Sequence, residues 1–176
     1  IVYTRCIIMK NNVRKLTVTG LLTALAIIIP IVFGPFLKIQ IPPFSATLAS
    51  HVPMFLAMLI APEVAVVVGI GSALGFLITS PAVIAARAFT HTFVGLAGAL
   101  LIRRGVSFKK VIVFTAPIHA ILEALIVIPF GFTAVNALYV VGIGTVAHHF
   151  VDGIITVILV GAIERALRIK LVKAFS

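Results

Sequence analysis

From Leu16 to Leu37 the sequence runs for 22 residues without a formally charged side chain. A bilayer-spanning helix needs about 20 apolar residues, so this stretch directs the chain into a membrane. The remainder agrees, with 62% of the 176 residues apolar and 10% charged, against about 45–50% and about 25% in soluble domains. Six such spans would occupy about 120 positions, which leaves short connections and no room for a separate soluble catalytic domain. No stretch matches G-x-x-x-x-G-K-[ST], the loop whose backbone amides and lysine cradle nucleotide phosphates. If ATP drives this protein, partners are expected to hydrolyse it.

Fourteen Lys and Arg against four Asp and Glu give a formal charge of +10. In a soluble protein that excess would point to nucleic acid, but its distribution argues for a membrane topology instead. Arg5, Lys10, Arg14 and Lys15 precede the first apolar run. Arg103, Arg104, Lys109 and Lys110 share one loop, and Arg165, Arg168, Lys170 and Lys173 close the chain. Under the positive-inside rule all three clusters lie in the cytoplasm, which requires an even number of spans between successive clusters. Four plus two is the natural count. The expectation is an all-α polytopic membrane protein with six transmembrane helices and both termini cytoplasmic.

The organisation follows from these marks. Residues 1–15 form a cytoplasmic N-terminal segment, 16–165 a single six-helix membrane domain, and 166–176 a basic cytoplasmic tail. Met9-Lys10-Asn11-Asn12 resembles a natural start, so residues 1–8 are expected to lie upstream of it. Cys6 is the only cysteine, so no internal disulfide is possible. Span one covers Leu16 to Leu37, and 38–50, with Gln40, Pro42 and Pro43, forms an outer loop folded back over the protein. Span two runs inward over roughly 47–60, span three over 64–79 and span four over 82–102. Span five covers 111–129, and span six runs from 138 to 163, longer than the membrane needs and so tilted or protruding.

Ionisable residues at membrane depth carry the functional information, because each costs a few kcal/mol or more at a helix centre. Arg87 and His91 lie four apart on span four, His119 and Glu123 four apart on span five, and His148 and Asp152 four apart on span six. Residues four apart share a helix face, so three consecutive helices each present a charged group and a histidine inward. His51, at the outer end of span two, is positioned to join them, and Asn136 comes from the last outer loop. These eight residues are the candidate substrate-binding set. His149 points about 100° from His148 and is expected to pack or sit at the interface.

Two other readings of the same groups remain open. They could satisfy one another as a structural pin, with Arg87 against Glu123 or Asp152. They could also hold a metal, since His119-x-x-x-Glu123 and His148-x-x-x-Asp152 have helix-compatible ligand spacing; the H-E-x-x-H pattern of a zinc protease is absent. A proton-coupled permease could use the same side chains, but such carriers show repeated halves with broken helices, and no repeat is visible. The expectation is therefore no metal, no enzymatic activity and no cofactor of the chain's own.

Small residues supply a second pattern. Gly71 and Gly75 on span three, and Gly95, Gly98 and Ala99 on span four, are expected to permit close packing inside the bundle. Gly20 and Ala24 on span one differ, because that span carries no inward polar pair and its small face is free to receive another membrane subunit.

The stretches Pro43-Phe44-Ser45-Ala46-Thr47-Leu48-Ala49-Ser50-His51-Val52-Pro53 and Arg87-Ala88-Phe89-Thr90-His91, with the chain's size and polar outer half, resemble the S components of energy-coupling factor (ECF) vitamin transporters. The likeness extends from about Lys10 to Lys170. Within that family it looks like the hydroxymethylpyrimidine or pyridoxine subgroup, with similarity also to niacin S components. The resemblance implies a high-affinity binding subunit in a bacterial plasma membrane that cannot transport alone. A transmembrane coupling subunit and two cytoplasmic ATPases, which consume the ATP, would complete the importer. It also implies docking through the first helix, at Gly20 and Ala24 where the family has alanine-x-x-x-alanine, and a pocket covered by the loop after span one. The expected ligand is hydroxymethylpyrimidine or pyridoxine. Niacin or pantothenate is preferred instead if Arg87 is not consumed by a carboxylate of the protein.

Overall fold

The computed structural model describes residues 12–42, 44–168 and 171. Arg5, Cys6, Met9, Lys10, Pro43, Lys170 and Lys173, which carry parts of the expectations for both ends and the outer loop, lie outside the described residues. Among those described, five helices are long and apolar enough to cross a membrane. They are α1 (Asn12–Val32), α3 (Pro62–Thr79), α4 (Ala82–Arg103), α5 (Phe108–Val127) and α6 (Ile143–Leu167). The last continues from a π-helical turn, Asn136–Gly142, so that 136–167 forms one long helical rod, longer than the expected sixth span.

The expected second span is not a membrane-length helix. Residues 38–61 instead form a two-stranded antiparallel hairpin, β1 (Lys38–Ile41) and β2 (Phe44–Thr47), a turn, and the seven-residue helix α2 (Val52–Met58). At 1.5 Å per residue α2 spans about 10 Å, a third of the hydrocarbon core of about 30 Å. Its approach is enclosed on one strand only: every β2 residue is buried, as are Val52, Pro53, Met54, Phe55, Ala57 and Met58, whereas Ile39, Gln40 and Ile41 of β1 are exposed. Non-helical backbone at membrane depth survives only under such protein cover.

Helix directions follow from side-chain neighbours. Lys15 of α1 pairs with Glu63 of α3, and a side chain at Gly71 or Gly75 would meet Thr23 or Ile27 respectively, so α1 and α3 run parallel. Residues 33–61 therefore carry the chain from the far end of α1 back to the end at which both helices start. Helices α3 to α6 alternate in direction, as shown by Gly69–Thr92 with Ala65–Gly95, Arg87–Glu123 with His91–His119, and Glu123–Thr145 with Ile112–His149. This arrangement gathers Arg14, Lys15, Arg103, Arg104, Lys109, Lys110, Arg165 and Arg168 at one end.

The small residues of α3 and α4 pack internally, as expected. A methyl group at Gly75 would come within 2.7 Å of the Ile27 carbonyl oxygen, and one at Gly95 within 3.2 Å of Ala65 Cβ. The apolar core lies toward the basic end, where Met54, Phe55 and Met58 of α2 meet Val64, Val68, Val94 and Val111. Outward faces carry Leu21, Ile28, Ile121, Ile154 and Ile158, all exposed, which is the apolar surface a bilayer solvates.

Candidate functional site

The hairpin, the turn after it, and helices α4, α5 and α6 converge on one buried polar cluster midway along the bundle. Arg87 is the first half of it. Its Nε and Nη2 donate to Glu123 Oε2 at 3.1 and 2.7 Å, while Nη1 and Nη2 reach Ser45 Oγ and the Ser45 carbonyl at 3.3 and 3.1 Å. The guanidinium also lies over the Phe44 ring, 5.3 Å from its centroid. Thr145 donates to the same Glu123 oxygen, and His119 Nε2 stands 3.4 Å from the other. A charge this deep is tolerable only when paired and hydrogen-bonded, and Arg87 and Glu123 are both.

Asp152 organises the second half. Its Oδ1 accepts from the backbone N–H of Ala49 at 2.8 Å and its Oδ2 from that of His51 at 3.0 Å. His148 Nε2 lies 3.1 Å from Asp152 Oδ2 and 3.1 Å from the Thr47 carbonyl. The carboxylate thus clamps the turn that follows β2, and it does so across about a hundred residues of sequence. Ala49 takes the left-handed conformation there, φ 66°, which costs a non-glycine residue roughly 1 kcal/mol or more.

Five histidines fill the centre. The His51 ring has centroid distances of 4.7, 4.7 and 4.2 Å to His91, His119 and His148. His91 Nδ1 is 2.9 Å from Ser72 Oγ, and His119 Nδ1 is 3.1 Å from His149 Nδ1. His149, read from the sequence as a packing or interfacial residue, is fully buried and joins the cluster, with Nε2 2.9 Å from the Ile112 carbonyl.

The structure thus brings together His51, Arg87, His91, His119, Glu123, His148 and Asp152 from the expected set. Asn136 is not among them. It lies exposed at the start of the π-helical turn, where its backbone N–H donates to Thr133 Oγ1 at 3.2 Å, because the loop after α5 continues into α6 rather than folding over the cluster. Sequence reasoning missed Ser45, Thr47, Ser50 and Ser72. The first three belong to the hairpin and turn, whose sequence reads as a proline-broken loop, and only Ser72 shared a helix face with the small residues of its span.

A cavity of about 20 Å³ lies between Ser45, Ser50, His51, Arg87, His91 and His148, room for about one water molecule. β2 and the turn after it contribute Ser45, Thr47, Ser50 and His51 to its lining. Arg87 is consumed by Glu123, so the side-chain pairing alone favours a neutral ring over an acid. Gly20 and Ala24 on α1 are exposed, and a Cβ at Gly20 would meet nothing within 4 Å.

No family model matches the chain, and no solved structure matches it. Among characterised proteins it is similar to the niacin transporter NiaX of Lactococcus lactis subsp. cremoris (strain MG1363), with 34% identity over 160 residues covering 81% of this chain and 71% of that protein. The comparison gives no support to the hydroxymethylpyrimidine or pyridoxine subgroup. The chain is a multi-pass membrane protein that belongs to the family of this transporter, within the S-component class of ECF vitamin transporters.

Proposed function

We propose that this chain is the membrane-embedded, high-affinity binding subunit of an ATP-driven niacin importer in a bacterial plasma membrane. The observation that carries the substrate choice is the 34% identity with a niacin transporter over 71% of that protein. The chain's own site suits one part of niacin. Niacin joins a flat pyridine ring to a carboxylate, and the cavity offers imidazole faces and hydroxyl groups to the ring, while Arg87 is already paired with Glu123 and leaves the carboxylate to be balanced by another group.

In this reading the basic end is cytoplasmic, the chain crosses six times, and both termini lie inside. Residues 33–61 make the second crossing as a composite of hairpin, turn and α2. Residues 16–165 act as one membrane domain between the cytoplasmic segments 1–15 and 166–176. The hairpin lifts to admit ligand from outside and closes over it. The open face at Gly20 and Ala24 docks a transmembrane coupling subunit, and two cytoplasmic ATPases supply the work. The chain itself is not an enzyme.

Isothermal titration calorimetry of the purified chain in detergent, against nicotinate, pyridoxine, hydroxymethylpyrimidine, pantothenate and thiamine, tests this reading. Tight one-to-one binding of nicotinate is expected. Binding of pyridoxine or hydroxymethylpyrimidine with none of nicotinate overturns the substrate choice. Accumulation in liposomes holding only this chain and a pH gradient overturns the binding-subunit role in favour of a self-sufficient permease.

A further inference from the structure

The niacin reading leaves an electrostatic imbalance at the site. Apart from its imidazoles, the buried cluster holds one cation, Arg87, against two carboxylates, Glu123 and Asp152, all at most 4% exposed. Nicotinate would bring a second net negative charge into the same enclosed space. Uncompensated charge at that depth is strongly disfavoured, and Arg87 already gives most of its donors to Glu123 and Ser45.

The histidines offer the compensation. One ring nitrogen from each of His51, His91 and His119 lies within 4.8 Å of the other two, and none of the three side chains is more than 2% exposed. The outer nitrogens of two of these rings are already held. Ser72 Oγ is 2.9 Å from His91 Nδ1, and His149 Nδ1 is 3.1 Å from His119 Nδ1. Such contacts orient metal-ligating imidazoles and leave Nε2 for the ion. His119 Nε2, 3.4 Å from Glu123 Oε1, and His51 Nδ1, 3.1 Å from Asp152 Oδ2, are both fully buried, each beside a carboxylate but without a hydrogen bond. Zinc–nitrogen bonds of about 2.0–2.1 Å place tetrahedral ligand atoms about 3.4 Å apart, so the triad must contract by no more than about 1.4 Å. Asp152 is less suited to the ion because both its oxygens already accept from the turn backbone.

We propose that His51, His91 and His119 bind a divalent transition-metal ion of the imidazole-preferring kind, represented by Zn²⁺, with an open coordination position directed at the cavity that His51 and His91 line. Three imidazoles and an open fourth position are a recognised zinc arrangement. The ion turns the cluster's single negative charge into a single positive one, and a monoanionic carboxylate then neutralises it. This second half rests on the niacin reading; the metal site itself does not.

The test uses the full chain in detergent, stripped with a chelator and shown by circular dichroism to stay helical. Titration with Zn²⁺ alone is expected to show one ion per chain, and His119→Gln is expected to abolish it. Co²⁺ in place of Zn²⁺ should give the visible absorption of a tetrahedral site, shifting when nicotinate is added. Nicotinate affinity should fall at least about tenfold on stripping and return with Zn²⁺. A folded chain that takes up no Zn²⁺ overturns the proposal, whether or not the His119→Gln variant folds. Zn²⁺ uptake with nicotinate affinity unchanged by stripping overturns the carboxylate contact. Zn²⁺ uptake with no nicotinate binding in either form overturns the niacin reading and upholds the metal site.

Discussion

Asp152 on α6 holds the backbone N–H of His51 at 3.0 Å, fastening the turn after the hairpin to the middle of a helix a hundred residues away. The same carboxylate takes the Ala49 N–H at 2.8 Å, so one side chain satisfies two buried donors and sets one wall of the cavity. Asp152→Asn leaves one of these donors facing an amide NH₂. Loss of a buried partner costs about 1–3 kcal/mol, so the variant should unfold at lower temperature in detergent and bind nicotinate more weakly.

Ala49 supplies the converse case. Its left-handed backbone is strained by a Cβ that glycine lacks. Ala49→Gly is expected to raise stability by about 1 kcal/mol at most, read as a higher melting temperature of the purified chain. A large loss instead would mean that the Ala49 methyl group, half-buried at the turn, matters more than the torsion angle.

Arg87 and Glu123 separate a structural pin from a binding site. Removing one partner of a buried pair costs about 3–5 kcal/mol, whereas replacing both by apolar residues of similar volume is often neutral. Arg87→Ala should therefore lose both stability and ligand binding. The double substitution Arg87→Met with Glu123→Leu should recover most of the stability while binding stays absent. Recovery of binding in the double variant would show that the pair only pins the helices.

Glycines on neighbouring helices should respond in opposite ways. Gly75→Ala drives a methyl group to 2.7 Å from the Ile27 carbonyl oxygen, and overpacking of this kind costs about 1–3 kcal/mol. Gly20→Leu with Ala24→Leu adds bulk to an exposed face and should leave the melting temperature and nicotinate binding unchanged. Uptake by the reconstituted importer should fail, since the close helix approach is blocked. Intact uptake would exclude this face as the docking surface.

Asn136 serves as the control. It is exposed and away from the histidine cluster, and surface changes of that kind are usually within ±0.5 kcal/mol, or about twofold in an equilibrium constant. Asn136→Ala should bind nicotinate within about twofold of the parent chain in the same calorimetric titration.

The three i, i+4 pairs were legible because helical periodicity makes residues four apart neighbours whatever the rest of the chain does. Charged groups inside uncharged apolar runs have few explanations besides an interior polar site. The five long helices were legible for a similar reason, since length and apolarity are local properties. The short helical span expected over roughly 47–60 is instead the end of a hairpin, a turn and the seven-residue α2, because Pro42, Pro43 and Pro53 mark a break without specifying a hairpin. Burial of β2 under other helices is not written in β2 itself. His149 escaped for another reason: neighbouring histidines on one helix point about 100° apart, and only the position of His119 shows that both directions are interior.

By itself, the sequence determined that this chain enters a bilayer, that its basic clusters share an end, and that its ionisable residues collect inside, because transfer free energies and helical periodicity act residue by residue. The tertiary structure decided which carboxylate takes Arg87, that Asp152 holds the turn before α2, and that three imidazole nitrogens converge. Those outcomes depend on distances between segments far apart in the chain, which packing fixes and local preference does not.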